Sequence, residues 1–150
     1  MSYLKFCVRN QYFVISIAFI DQIIPYVNPI ELGDNKEAFH ELINLRGEII
    51  PCLDFSYFVN KNKSDVHLNT RIIILKLQSK ENEIKKIGLI AESVIEICQI
   101  EESDFLTISL NSNDELFIKR NIRHDQMIIK EIDVIKIYNT YFKSSDFESK

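Results

Sequence analysis

The chain has 150 residues, 46% of them hydrophobic and 27% charged, with a formal net charge of −4. That length suits one domain or two small lobes sharing a core, and without an arginine-rich stripe to neutralise phosphates nucleic acid is excluded as a main ligand. No apolar run approaches the roughly 18 to 20 residues of a membrane span, and MSYLKFCV enters a strand pattern without a secretory leader, so a cytoplasmic protein with no membrane insertion is expected.

Along the chain, YLKFCV alternates Leu4, Phe6 and Val8 with Tyr3, Lys5 and Cys7, which is strand periodicity. Asn10 and Gln11 interrupt it before YFVISI, so the pair reads as a hairpin, and FIDQII continues as a third strand to Pro25. A loop with two prolines, Asn28 and Gly33 then ends in Asp34-Asn35-Lys36-Glu37, a spacing that caps a helix start reciprocally. Ala38, Phe39, Leu42 and Ile43 share one face of the short helix this predicts.

The stretch LINLRGEIIPCLDF follows as strand, turn at Arg46-Gly47, and strand, with Pro51 at an edge or bulge because it has no N–H to donate. Asp54 is placed to cap a helix carrying Phe55, Phe58 and Val59. After the polar loop NKNKSDVHLN, RIIILKL reads as a buried strand, QSKENEIKK as a hairpin loop, and IGLIAESVIEICQI as one long strand or two, interrupted by Glu92 and Glu96. LFIKRNIR and QMIIKEI form a last hairpin around His124-Asp125, and DVIKIYNTYF places Val134, Ile135, Tyr138, Tyr141 and Phe142 on one helical face. The tail, about 143–150, should fray. With three glycines in the chain, its twelve asparagines are expected to serve many turns.

The fold class is all-β with a few short helices: two small barrel lobes in a single domain, their junction near 65–70.

Little in the sequence supports catalysis. His40, His67 and His124 are scattered, with neither metal-ligand spacing nor a glycine-rich phosphate loop, so no metal, cofactor or catalytic residue is assigned. Cys7, Cys52 and Cys98 are odd in number and lie in apolar stretches, as small buried thiols do. Glu101-Glu102 and Asp114-Glu115 fall in loops, where solvated charge accounts for them. Arg46 is different. At a turn between apolar strands it is either solvated, paired with a carboxylate that pins the hairpin, or aimed at a partner, for which a guanidinium fork is well shaped.

INLRGEIIPCLDF resembles the signature of CheW-like coupling domains, through Asn44, Leu45, Arg46, Gly47, Pro51 and Asp54. The resemblance extends to YLKFCVRNQYFVISI, FIDQII, KIGLIAESVIEI with Gly88 and Val94, and DQMIIKEIDVIKIY, covering Tyr3 to Phe142. It implies two five-stranded SH3-like barrels packed together, and no enzymatic activity. It also implies an adaptor that joins the helical hairpin tip of a chemoreceptor to the regulatory domain of a CheA-type histidine kinase. Ile20, Gln22, Arg46, Gly88 and Val94 match positions implicated in receptor contact, Gly88 by letting a helix approach closely. Glu41, Gln22, Glu92 and Ser93 depart from the usual glycine, glutamate, aspartate and glycine. Neutral Gln22 leaves Asp21 or a partner group to orient Arg46. Alternatives are an adaptor of a pilus or other non-flagellar array, a small-molecule sensor using a cleft between the lobes, and an enzyme built on Cys52.

Overall fold

The computed structural model describes residues 1–31, 41–78, 81–107 and 117–142. The chain starts in one sheet, leaves for a second, and returns. Strands β1 (Ser2–Val8) and β2 (Gln11–Ser16) open the first lobe. The second lobe takes β3 (Ile20–Pro25), β4 (Ile30–Glu31), β5 (Glu41–Leu45), β6 (Glu48–Asp54), helix α1 (Ser56–Asn60), β7 (Arg71–Gln78) and β8 (Ile84–Ala91). Strands β9 (Ser93–Gln99), β10 (Ile118–His124) and β11 (Met127–Ile132) complete the first lobe before helix α2 (Val134–Tyr141). The first sheet has five strands in the order β10-β11-β2-β1-β9, and the second has six, β3-β7-β8-β6-β5-β4, of which β4 is two residues long.

The junction expected near 65–70 is therefore wrong: that segment connects α1 to β7 inside the second lobe, and the chain crosses between lobes at 17–19 and at Glu92. Leu42 and Ile43, expected in a helix, belong to β5, while Ala38, Phe39 and the proposed Asp34–Glu37 cap lie outside the described residues.

Each sheet is covered on both faces, which explains its nearly continuous apolar strands. In β7, Ile72 and Ile74 enter the second lobe's own core with Ile43, Ile50, Cys52 and Ile90, whereas Ile73 and Leu75 face the other way. There they meet Leu4, Phe6, Phe13 and Ile15 of the first lobe in a shared seam. Rings pack across it, Phe13 on Phe55 at 4.8 Å and Phe6 on Phe55 at 5.6 Å, edge to face. Such pairs contribute about 0.5–1.5 kcal/mol each beyond their burial. Helix α2 closes one end; Asp133 accepts the Lys136 N–H at 3.0 Å. Its buried residues are Val134 and Ile137, with Phe142 following, while Ile135 is 53% exposed and so leaves the stripe assigned to it.

Among the described residues, three hairpins turn on two residues of positive φ: Arg9-Asn10, Arg46-Gly47 and Asp125-Gln126. Among the described residues with positive φ only Asn10 and Asn82 are asparagine; arginine, lysine, aspartate and glutamine adopt it as well. The register of the flanking strands, with one face buried, imposes these turns on residues that do not favour them.

Candidate docking site

The β5–β6 turn has φ of 53° at Arg46 and 89° at Gly47, with Leu45 opposite Glu48. This is a type I′ geometry, matched to strand twist and favouring glycine at its second position. Asn44 Oδ1 accepts the Gly47 N–H at 2.8 Å, fixing the turn from its own strand. Pro51 pairs with Leu42 of β5 just before β6 begins to pair with β8 at Cys52, so its missing donor is tolerated.

Arg46 is exposed and makes no ion pair or side-chain hydrogen bond among the described residues. Asp21, the residue considered for orienting it, is engaged elsewhere: Lys86 Nζ lies 3.5 Å from Asp21 Oδ2 and 3.3 Å from Glu48 Oε1. The hydrogen bond to Glu48 is the first cause raising the Lys86 pKa, and the charges of Asp21 and Glu48 add to it. Gln22 Nε2 donates to Asp21 Oδ2 at 3.3 Å. Lys86 thus ties β3, β8 and the start of β6 together behind the Arg46 turn.

Two bulges shape the neighbouring surface. Ile20 pairs with Leu75 and Gln22 with Ile74, so Asp21 is an extra residue; Ile20 turns to the seam and Gln22 to the face of the second lobe's own core. In β9, Val94 pairs with Phe6 and Glu96 with Lys5, leaving Ile95 extra. The shift puts Val94 and Ile97 on one face, beside Phe6 and Leu4. Without it, residues three apart would face opposite ways. Ile20 and Val94 are half-buried against the seam core, and Ile97 is 61% exposed. Sequence reasoning missed Ile97, because ICQI hides the bulge that turns it.

Gly88 is buried in β8 between Ile74 and Cys52. A Cβ built there would meet Cys52 Sγ at 2.7 Å and Ile72 Cγ2 at 3.0 Å. The atoms that crowd this position belong to its own lobe, and Gly88 is buried, whereas the resemblance implied a glycine that lets a partner helix approach closely.

Asp54 is also internal. Its Oδ1 accepts from Ser56 N–H (3.1 Å) and Ser64 Oγ (2.7 Å), and Oδ2 from Ser64 N–H (2.8 Å). Phe55 is the cap residue of α1, but Asp54 supplies the side-chain acceptor that Phe55 lacks. Burial raises its pKa most, against the lowering effect of the hydrogen bonds from Ser64 and Ser56. Beside it an open cleft of about 260 Å³ is lined by Tyr26, Glu41, Lys63, Ser64 and Val66, with Lys63 Nζ 3.2 Å from Glu41. Cys52 is fully buried and burial, then Glu41, pushes its thiol pKa far up, so it is no nucleophile. Among the described residues no three metal-binding side chains gather.

Arg9, which the sequence left unremarked, bonds through both its backbone and its side chain to this region. Its N–H donates to Glu92 Oε1 at 2.6 Å, Nε to Ser56 Oγ at 2.8 Å and Nη2 to the Lys63 carbonyl at 2.6 Å.

Residues 2–141 match the CheW-like domain family. The crystal structure of the scaffolding protein TtCheW from Thermoanaerobacter tengcongensis superposes with a TM-score of 0.75 at 23% identity, covering 87% of this chain and 82% of that one. No curated protein sequence matches. The two-sheet architecture agrees with that structure, and the family match spans both lobes. The chain belongs to the CheW-like domain family.

Proposed function

We propose that the chain is a cytoplasmic, non-enzymatic signalling adaptor that joins the helical hairpin tip of a chemoreceptor to the regulatory domain of a CheA-type histidine kinase. Family membership supports the adaptor role and the absence of enzymatic activity. The observation that carries the receptor half is Arg46. Its turn is held by Asn44 and Gly47, Glu48 two residues along and Asp21 on β3 are both engaged by Lys86, and its guanidinium is exposed without a partner among the described residues. A helix laid along the rim of Ile20, Val94 and Ile97 would bury apolar surface there, and a carboxylate on it would meet Arg46. Gln22, on the same strand as Ile20, sits where it can adjust the polar edge.

As an adaptor the chain biases the kinase only by binding its two states with unequal affinity. Calorimetry with a cognate receptor hairpin and, separately, with a kinase regulatory domain tests both halves. Binding to each at tens of micromolar or tighter supports the reading; binding to neither removes it.

The polar cleft at Tyr26, Glu41 and Lys63 favours a second reading, a small-molecule sensor. A metabolite that raises the melting temperature in a protein that binds no kinase domain would select it.

A further inference from the structure

We propose that Arg9 is a positioning residue for the docking rim, an ionic latch that joins the two lobes where β8 crosses into β9; this rests on the adaptor reading above. Arg9 belongs to the first lobe's β1–β2 turn, and every group it holds lies across the seam or on the crossover. Beyond the three hydrogen bonds already given, its Nε lies 3.5 Å from Glu92 Oε2 and its Nη1 3.4 Å from Asp65 Oδ2. Ser56 is fully buried at the start of α1, and Lys63 and Asp65 belong to the loop that follows that helix. The same loop is gripped from its other side, through Ser64 by Asp54 and through Lys63 by Glu41.

Glu92 is the single residue between β8 and β9, two positions before Val94. Its carboxylate receives both the backbone N–H and the side chain of Arg9, so the crossover cannot shift without breaking a charge-assisted pair at each oxygen. The left-handed turn, with φ of 51° at Arg9, sends the guanidinium across from a stiff base. Only a fork with several N–H groups can meet a hydroxyl, a carbonyl and two carboxylates together; an ammonium on a flexible stem cannot. Val94 takes its place on the rim from this crossover and from the bulge at Ile95.

The experiment compares the wild type with Arg9→Ala, Arg9→Lys and Glu92→Gln, each checked for a cooperative melt. Amide hydrogen exchange is mapped along the full chain, and affinity for the receptor hairpin is measured at a temperature where all are folded. Exchange should rise about tenfold or more at 62–65 and 92–95 together, while the seam strands keep their protection. Receptor affinity should fall about five- to tenfold in Arg9→Lys as well as in Arg9→Ala, since lysine restores charge but not the fork. Exchange that rises uniformly, or nowhere, marks Arg9 as a residue of general stability and overturns the proposal. So does unchanged receptor affinity. Should Arg9→Ala fail to fold, Arg9→Lys and Glu92→Gln carry the same comparison. A wild type that binds no receptor hairpin defeats the adaptor reading and the docking role with it, and the exchange map then decides the latch alone.

Discussion

Arg9 and Arg46 open two turns of the same kind, with φ of 51° and 53°, yet among the described residues only Arg9 holds side-chain partners. Arg9 ties the two lobes together, whereas Arg46 extends from the β5–β6 tip with Glu48, two residues along, already engaged by Lys86. The turn geometry is equally unfavourable to both side chains, by about 1–2 kcal/mol. At Arg9 the internal bonds offset that cost. At Arg46 nothing within the described residues does, which is why a docking partner is the proposed compensation.

Arg46→Gly should accordingly leave the protein equally or more stable, by up to about 1 kcal/mol, because glycine adopts the left-handed turn without strain. The same change should weaken receptor docking by about thirtyfold or more, as expected for about 2–5 kcal/mol lost with a paired, desolvated arginine. Denaturant melts and calorimetry on one preparation give both numbers. A loss of stability with full affinity would make Arg46 a structural residue.

Gly88→Ala should destabilise by about 1–3 kcal/mol through overpacking against Cys52 Sγ. Combining it with Cys52→Ala should recover part of that loss, giving a coupling energy of about 0.5 kcal/mol or more in a double-mutant cycle. Additive effects would show that the strain lies elsewhere.

On the rim, Ile97 and Val94 separate packing from docking. Ile97→Ser removes an exposed side chain and should change unfolding free energy by less than about 0.5 kcal/mol. Val94→Ala, half-buried on the seam, should cost about 1 kcal/mol. Receptor affinity should fall for both. Unchanged affinity in Ile97→Ser would remove the outer rim from the docking surface.

Asp54 gives a pH dependence of definite sign. Its folded pKa lies above the unfolded value, chiefly through burial, so the native state binds that proton more tightly. Its contribution to stability is therefore greatest at acid pH and declines as pH rises from the unfolded pKa through the raised folded one. Unfolding free energy of the wild type minus that of Asp54→Asn, measured from pH 3 to about pH 7, should fall with rising pH. A difference that grows instead would mean that the bonds from Ser56 and Ser64 dominate.

Much of this architecture was legible in the sequence because strand period and buried faces coincide. The strands at RIIILKL, the break at Glu92 between β8 and β9, and the hairpin at the signature all follow from alternation and turn chemistry. The assignment of strands to lobes was not legible, since periodicity reports which face is buried and not which strand lies alongside; hence the misplaced junction. Leu42 and Ile43 satisfied a helical spacing only because a short apolar run fits either period. Ile135 shows the same weakness, a plausible stripe member that the packing of α2 turns outward. Gly88 called for three-dimensional neighbours, and Arg9 carries no local signal because its partners lie 47 to 83 residues away in the sequence.

The central claim, that the rim from Ile20 through Arg46 to Val94 and Ile97 receives a receptor hairpin, is tested most directly by titrating the isotopically labelled protein with that hairpin and mapping amide shifts. The account predicts saturable shifts concentrated on β3, the β5–β6 turn and the start of β9. Shifts confined to the cleft of Tyr26, Glu41 and Lys63, or none at concentrations where the kinase domain binds, would contradict it.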